Sequence, residues 1–318
     1  MWLALAHALN ARGVLGINRR NAEFTLRYNP RRLYPLVDDK LATKRLAEQA
    51  GIATPALYGV IEHEHQIRDL GSMLSSYEDF VIKPAHGSGG DGILVITGRR
   101  GHRYRKANGH LLAQDEVDHH VSNILSGLYS LGGAPDKALI EACVHFDPVF
   151  EPISYQGVPD IRIIVFLGVP VMAMVRLPTR LSDGKANLHQ GAIGVGIDLA
   201  QGKTLTGVWN NEIIYEHPDT EAPIAGVALP RWEELLLLAA RCYELTGLGY
   251  QGVDFVLDAR VGPLILELNA RPGLNIQIAN RRGLLACLRQ VEHERCAHWS
   301  LNERVQYAKA AFGVSTSV

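Results

Sequence analysis

Cysteine is scarce in this chain. The four residues, Cys143, Cys242, Cys287 and Cys296, are spread through 318 positions and form no CxxC pair. Neither a disulfide scaffold nor a thiolate zinc site is expected, and reduced cysteines point to a cytoplasmic setting. An excess of charge of either sign is also missing. Lys and Arg total 32 against 33 for Asp and Glu, a net charge of -1, which excludes a bulk basic surface and argues against nucleic acid as a partner. No membrane-spanning run is present: the opening MWLALAHALNARG is short and broken by His7 and Asn10, and the later run at 235–240 is flanked by charges. Glycine (31) and proline (15) are too few for a collagen or a disordered linker, and no internal repeat is visible.

What remains is an ordinary globular composition, 47% hydrophobic and 20% charged, long enough for roughly two domains and for a core that needs no staple. Residues 1–35 are basic, with Arg12, Arg19, Arg20, Arg27, Arg31 and Arg32, and are broken by Gly13, Gly16 and Pro30. They read as a helix followed by an extended arm. Helices are predicted over 38–50, 62–75, 115–128, 231–246, 278–291 and 294–311. Strands are predicted over 57–61, 80–83, 93–96, 138–144, 161–167, 171–177, 252–257 and 263–268. The stretch 182–202, rich in Gly, Asn and Asp, reads as a long loop. Helices and antiparallel strands mixed without βαβ spacing predict an α+β fold rather than a doubly wound sheet.

Two local patterns carry chemistry. The first is KPAHGSGGDG, from Lys83 to Gly92. A lysine at a strand end precedes a loop whose crowded glycines free backbone N–H groups for an anion. The order is not that of a Walker loop. The second is Asp254 with Glu267 and Asn269. Glu267 and Asn269 stand two apart, so they share a strand face, and with Asp254 they form a hard-oxygen set suited to Mg²⁺. Lys40 opens a helix, where a cation opposes the dipole unless an anion offsets it. Asp160 and Arg162 share a strand face, Arg176 lies on the partner strand, and Arg180 follows it. Such arginines neutralise phosphate or grip a carboxylate.

The order and spacing of DDKLATKRLAEQAGIATP, FVIKPAHGSGGDG, ALIEACV, DIRIIVFLG, NLHQG, and GVDFVLD with LILELNARPG, across 36–286, resemble those of the ATP-grasp carboxylate–amine ligases. The similarity is greatest to the ribosomal-protein-S6 glutamate-ligase group and its alpha-L-glutamate-ligase-like members. The resemblance implies two α+β lobes clasping ATP, a small one over 36–140 and a large one over 141–318, behind a basic segment at 1–35. It implies that Lys40 and Lys83 contact the phosphates, that Gly87, Ser88, Gly89, Gly90 and Gly92 cover them, and that Glu141, Ala142, Cys143 and Val144 bond adenine through backbone groups. Asp254, Glu267 and Asn269 would hold Mg²⁺, or Mn²⁺ in its place. Lys83, Arg162 and Arg176 would serve the phosphoryl transfer, and Arg271 would bind a substrate carboxylate or pair with a metal-site acid. Arg180, Asn187, His189 and Asn275 would lie beside the acceptor.

The reaction implied is amide formation through an acyl phosphate, joining an amino acid, plausibly glutamate, to a peptide, protein or small carboxylate; a non-catalytic ATP-binding scaffold is the alternative. Family members carry a small α/β domain before the first lysine motif. Residues 1–35 are too short to form one, so a homodimer or a partner subunit is expected to complete the site. The insertion at 102–133 reads as a lid or a contact surface.

Overall fold

The structure, a computed structural model, describes residues 8–87, 89–294 and 296–314. Ser88 and the first seven residues of the opening apolar run lie outside it. The chain divides into two compact units. One comprises residues through Asp38, Leu46–Ala53 and Phe146 onward; the other comprises Asp39–Arg45 and Thr54–His145.

The second of these units holds the first residues, up to Arg45, of helix α1 (Lys40–Gln49), which begins under an Asp39 cap, whose Oδ1 accepts from the Leu41 and Ala42 N–H groups. Strands β1 (Leu57–Ile61), β2 (Phe80–Pro84), β3 (Leu94–Arg100), β4 (Arg103–Lys106), β5 (Leu111–Leu112) and β6 (Ala138–Glu141) form an antiparallel sheet in the order β1-β6-β2-β3-β4-β5. Helix α2 (Gln114–Leu125) places Val117, Val121 and Ile124 on one stripe, at i, i+4 and i+7. That stripe packs with Phe80, Ile82, Leu94, Ile96 and Tyr104 in one buried cluster, at roughly 1.5–3 kcal/mol for each large apolar side chain taken from water. The segment read as an insertion is therefore part of the sheet and its covering helix. The strand expected over 138–144 ends at Glu141.

The other unit is built on a seven-stranded antiparallel sheet. Its strands are β7 (Asp160–Phe166), β8 (Val169–Leu177), β9 (Ile193–Ile197), β10 (Thr204–Trp209), β11 (Glu212–Ile214), β12 (Tyr250–Asp258) and β13 (Gly262–Asn269), in the order β11-β10-β9-β8-β7-β12-β13. Helices α3 (Trp232–Thr246), α4 (Leu285–Glu294) and α5 (Leu301–Phe312) contribute Leu235, Leu236, Leu288, Val305 and Phe312 to its core.

Several sequence expectations are corrected here. The loop expected over 182–202 contains β9, whose IGVGI looks too glycine-rich for a strand. Gly196 is there for space, since a Cβ would lie 2.9 Å from the Ala279 carbonyl oxygen and 2.8 Å from Asn280 Oδ1. Strands β10 and β11 were not foreseen. The helix expected over 278–291 is a short turn at Ile276–Ala279 followed by α4, interrupted where Gly283 packs directly on the Gly13 backbone.

The extended arm is also corrected. Residues Ile17–Tyr28 are helical throughout, with a π turn over Arg20–Thr25. Gly16 and Pro30 bound this segment rather than interrupt it, so nothing inside it opposes a helix. Phe24 sits among Phe166 and Tyr250 at ring-centroid distances of 5.6 and 6.2 Å. Asn29 closes the segment onto β12: its Nδ2 donates to the Tyr250 and Ala270 carbonyls at 2.6 and 2.9 Å, and its Oδ1 accepts from the Tyr250 N–H at 2.9 Å.

Candidate functional site

Strand register decides which side chains share a face. In the sheet of β1–β6, Val81 pairs with Glu141. Lys83 is two residues from Val81 and so lies on the Glu141 face. The Glu141 carboxylate, 3% exposed, meets Lys83 Nζ at 2.7 Å and Lys44 Nζ at 3.1 Å. Lys44 is one helical turn beyond Lys40 in α1, so both lysines project from the same side of that helix. Burial opposes the charge on Glu141, but the two ammonium groups prevail and hold its carboxyl below the usual range. Lys44 was not singled out from sequence, and its spacing from Lys40 was the available signal.

Lys40 Nζ donates to the Gly87 carbonyl, which places it at the start of the glycine-rich loop. Gly89, Gly90 and Gly92 all have positive φ, at 67, 83 and 74°. At Gly92 the requirement is double, because a Cβ would also come within 2.6 Å of the Tyr129 ring. Beyond Glu141 the chain leaves the sheet. The Ala142 N–H donates to the Ala56 carbonyl at 2.9 Å, and Cys143 Sγ donates to the Ile96 carbonyl at 3.4 Å. Burial, aided by Asp79, pushes the Cys143 thiol up to about 12, so it is no nucleophile.

In the seven-stranded sheet the pairs Asp160↔Arg176, Arg162↔Asp254 and Asp254↔Glu267 run across β8, β7, β12 and β13, and Gly252↔Asn269 follows two residues along. Directly opposed residues point to the same face. Register alone therefore lines up Arg176, Asp160, Arg162, Asp254, Glu267 and Asn269 on one side of the sheet. A bulge makes this possible. Phe255 pairs with Ile265 while Asp254 pairs with Glu267, so Leu266 is the extra residue. Regular alternation would put Ile265 and Glu267 on one face; the bulge sends Ile265 into the core and Glu267 to the polar side.

The groups on this face are tightly paired. Arg162 Nε and Nη2 donate to Asp254 Oδ1 and Oδ2 at 2.7 and 2.5 Å. Arg176 Nε donates to Asp160 Oδ1 at 2.5 Å, and its Nη2 donates to Asp160 Oδ2 and, at 3.0 Å, to Asp254 Oδ2. Asn269 Nδ2 lies 3.4 Å from Asp254 Oδ2. Burial resists ionisation of Asp254, but the two guanidinium groups hold its carboxyl below the usual range. Burial raises Asp160 to about 6 against the pull of Arg176, with the Asp254 charge adding to the rise. Arg176 is raised by Asp160 and Asp254, which outweigh its burial, and Glu267 adds to them. Asp254, Glu267 and the Asn269 amide oxygen are the donor type that Mg²⁺ takes, and their common face fits such an ion. Among the described residues no group of three or more His, Cys, Asp or Glu is placed to hold a metal ion; this set has two carboxylates and an amide.

The remaining candidates lie apart from this network. Arg271 Nη2 is 3.4 Å from Asp38 Oδ2 and its guanidinium lies 5.2 Å from the Tyr34 ring centre, so it pairs with no metal-site acid. Its loop is anchored from both sides: Pro272 occupies space that Gly252 leaves open, and Arg20 Nη1 donates to the Arg271 and Pro272 carbonyls at 3.3 and 2.9 Å. Arg180 is exposed, its N–H donates to Asp219 Oδ2 at 2.7 Å, and it lies 5.2 Å from the Tyr155 ring centre. Asn187 Oδ1 accepts from the His189 N–H at 3.0 Å, shaping the short turn Leu188–Gln190. Asn275 stands immediately before the short helix Ile276–Ala279.

No helix among the described residues is long and apolar enough to cross a membrane. The chain is 23% identical over 323 residues to cyanophycin synthetase of Crocosphaera subtropica (strain ATCC 51142 / BH68), covering 89% of this chain and 33% of that protein. It is 24% identical over 241 residues to ribosomal protein bS6–L-glutamate ligase of Salmonella newport (strain SL254), covering 74% of this chain and 56% of that one. The chain thus spans between a third and just over half the length of these curated relatives. Among solved structures, D-cycloserine synthetase DcsG matches with a TM-score of 0.48 at 14% identity, covering 84% of this chain and 73% of that one. The ATP-grasp ligase PsnB complexed with minimal precursor matches with a TM-score of 0.45 at 16% identity, covering 84% and 62%. The profile of the sugar-transfer associated ATP-grasp proteins matches residues 19–293, and the chain belongs to that family.

Proposed function

We propose that the chain is an ATP- and Mg²⁺-dependent carboxylate–amine ligase. The observation that carries the reading is the polar face of β8, β7, β12 and β13, where two arginines and a hard-oxygen donor set stand together. A carboxylate resists attack by an amine until one of its oxygens becomes a leaving group. Transfer of the γ-phosphoryl group of ATP to that oxygen releases ADP and gives an acyl phosphate. The amine nitrogen then attacks the acyl carbon, and the C–O bond to phosphate breaks as the nitrogen loses a proton.

In this reading Lys40, Lys83 and the backbone from Gly87 to Gly92 bind the phosphates. The Glu141–Lys83 pair fixes the ammonium where a phosphate oxygen can meet it. The segment from Ala142 to Val144 meets adenine through its backbone. Arg162 and Arg176 neutralise charge on the transferred group, and Asp160 keeps Arg176 aligned. Asp254, Glu267 and Asn269 would hold Mg²⁺, or Mn²⁺ with the same donor preference, and the ion supplies Lewis-acid neutralisation of phosphate oxygens. Arg271, Arg180, Asn187, His189 and Asn275 are proposed to face the substrates.

Glutamate is the proposed amino substrate, in line with the relatives named as bS6–L-glutamate ligases. The sugar-transfer association of the family adds sugars bearing carboxylates or amines to the peptide and protein acceptors worth testing. The experiment is mass spectrometry of products from ATP, Mg²⁺, an amino-acid mixture and these acceptors, with ADP release followed in parallel. Amide products with stoichiometric ADP are expected. ATP bound without any turnover across the panel would defeat the ligase reading.

A further inference from the structure

The stretch from α2 to β6 has no part in the reading above, yet it reaches both ends of the glycine-rich loop. At its centre is Asp136, whose side chain is 0% exposed. Oδ2 accepts from the His86 N–H at 2.9 Å and from Ser130 Oγ at 2.8 Å. Oδ1 accepts from His86 Nδ1 at 2.7 Å and from the Lys137 N–H at 2.8 Å. Burying a carboxylate is costly unless its oxygens are fully served, and here much of the donor set comes from the residue that leads into Gly87. Gly87 itself forms a β bridge with Ser130, so the backbone and the Ser130 hydroxyl hold the same point.

The far end of the loop is held by the same part of the chain. His120, in α2, donates from Nε2 to the Gly92 carbonyl at 2.9 Å, and the Tyr129 ring lies over Gly92 where a Cβ would be. Burial holds the His120 ring below the ordinary imidazole range, against the pull of that carbonyl. The ring is thus neutral at pH 7 and donates through one tautomer. A plain strand–turn–strand connection needs neither a buried carboxylate nor a half-buried imidazole at its ends. What these groups achieve is a loop held at both ends, at Gly87 and at Gly92.

We propose that Asp136 is a positioning residue of the nucleotide site, which sets the glycine-rich loop over the ATP phosphates through His86, Ser130 and Gly87, with His120 and Tyr129 fixing the other end. The proposal rests on the reading of residues 87–92 as a phosphate loop. Pre-organising a loop in its binding geometry removes an ordering cost from binding. Asp136 should therefore matter for the β- and γ-phosphates and not for the adenosine half of the ligand.

The test compares the full chain with Asp136→Asn and Ser130→Ala by calorimetric titration of ATP, ADP and AMP in Mg²⁺, with amide hydrogen exchange across 86–92. Asp136→Asn is expected to weaken ATP and ADP by about tenfold or more, from the loss of charge-assisted bonds, while AMP changes little and exchange in 86–92 accelerates. Ser130→Ala is expected to move the same quantities less, and it carries the test if Asp136→Asn fails to fold. Unchanged exchange and unchanged ATP affinity would overturn the proposal, as would an equal loss for AMP and ATP. A wild-type chain that binds no ATP, yet whose loop exchange responds to Asp136→Asn, would defeat the phosphate-loop reading instead.

Discussion

Arg162 grips both oxygens of Asp254, at 2.7 and 2.5 Å, from the position directly opposite it across β7 and β12. This places a guanidinium on the oxygens that a metal ion would use. Arg176 reaches the same carboxylate at 3.0 Å while bonded to Asp160, so one anion restrains two cations. In the proposed function, metal binding at Asp254 and release of an arginine toward a phosphoryl group would be linked events on a single carboxylate.

Asp254→Asn should expose that dependence. It leaves Arg162 and Arg176, with side chains 13% and 14% exposed, without their shared counter-charge. Removing one member of a buried ionic network costs about 3 kcal/mol. Urea unfolding should show a loss of that order, and Arg176→Met in the same chain should recover part of it. A neutral outcome for the single change would mean that water, not Asp254, balances the arginines.

Glu141 gives a pH signature. Its folded carboxyl lies below the ordinary 4.5, through Lys83 and Lys44 prevailing over burial. As pH falls, the unfolded chain takes up this proton first, near 4.5, and the folded chain only later. The stabilisation is therefore present above about 4.5 and is lost as pH falls through the lower folded value. Unfolding free energy measured from pH 6 down to pH 3 should fall less steeply in Glu141→Gln than in the wild type, although the variant is less stable at pH 6. Parallel slopes would count against the pairing.

Asn29 tests the packing of the N-terminal helical segment. Asn29→Ala leaves the Tyr250 N–H and the Tyr250 and Ala270 carbonyls without their partner in a buried position. A loss of about 2 kcal/mol or more is expected, together with easier proteolysis within residues 12–32. Unaltered chemical denaturation would show that the segment contributes no stability to the sheet.

Gly92→Ala combines two penalties, a positive φ of 74° and displacement of the Tyr129 ring. The backbone part alone is about 1–2 kcal/mol. The proposed role of the loop predicts that ATP binding weakens more than overall stability falls, which calorimetry and thermal melting on the same sample would separate. Gly90→Ala, where a Cβ meets nothing within 4 Å, should carry only the backbone part.

The sequence displayed some of this plainly. Glu267 and Asn269 on a shared face follow from period-two spacing, and the ends of the glycine-rich loop follow from the apolar strands on either side. Lys44 stayed hidden because a lysine on an amphipathic helix reads as a solvated one until its carboxylate is known, and Glu141 lies nearly a hundred residues away. Strand β9 was missed because Gly194 and Gly196 lower β propensity, whereas their small size is what admits Ala279 and Asn280. Tertiary demand overrode the local signal there, whereas the helix between Gly16 and Pro30 needed only that its two breakers be read as its bounds. The convergence of α2 and the following loop on Asp136 involves partners brought together only by the fold.

The single extra residue in β13 has a consequence for how this gene can change. Substituting Leu266 alters one half-buried side chain. Deleting it would leave Phe255 opposite Ile265 and Asp254 opposite Glu267 in unbroken alternation, so the polar face tolerates that loss. Deleting Leu268 instead would make Glu267 and Asn269 direct neighbours on opposite faces. Every proposed metal ligand would still be encoded, in the same order, and the set would be divided. In β13, spacing constrains the site as tightly as identity does.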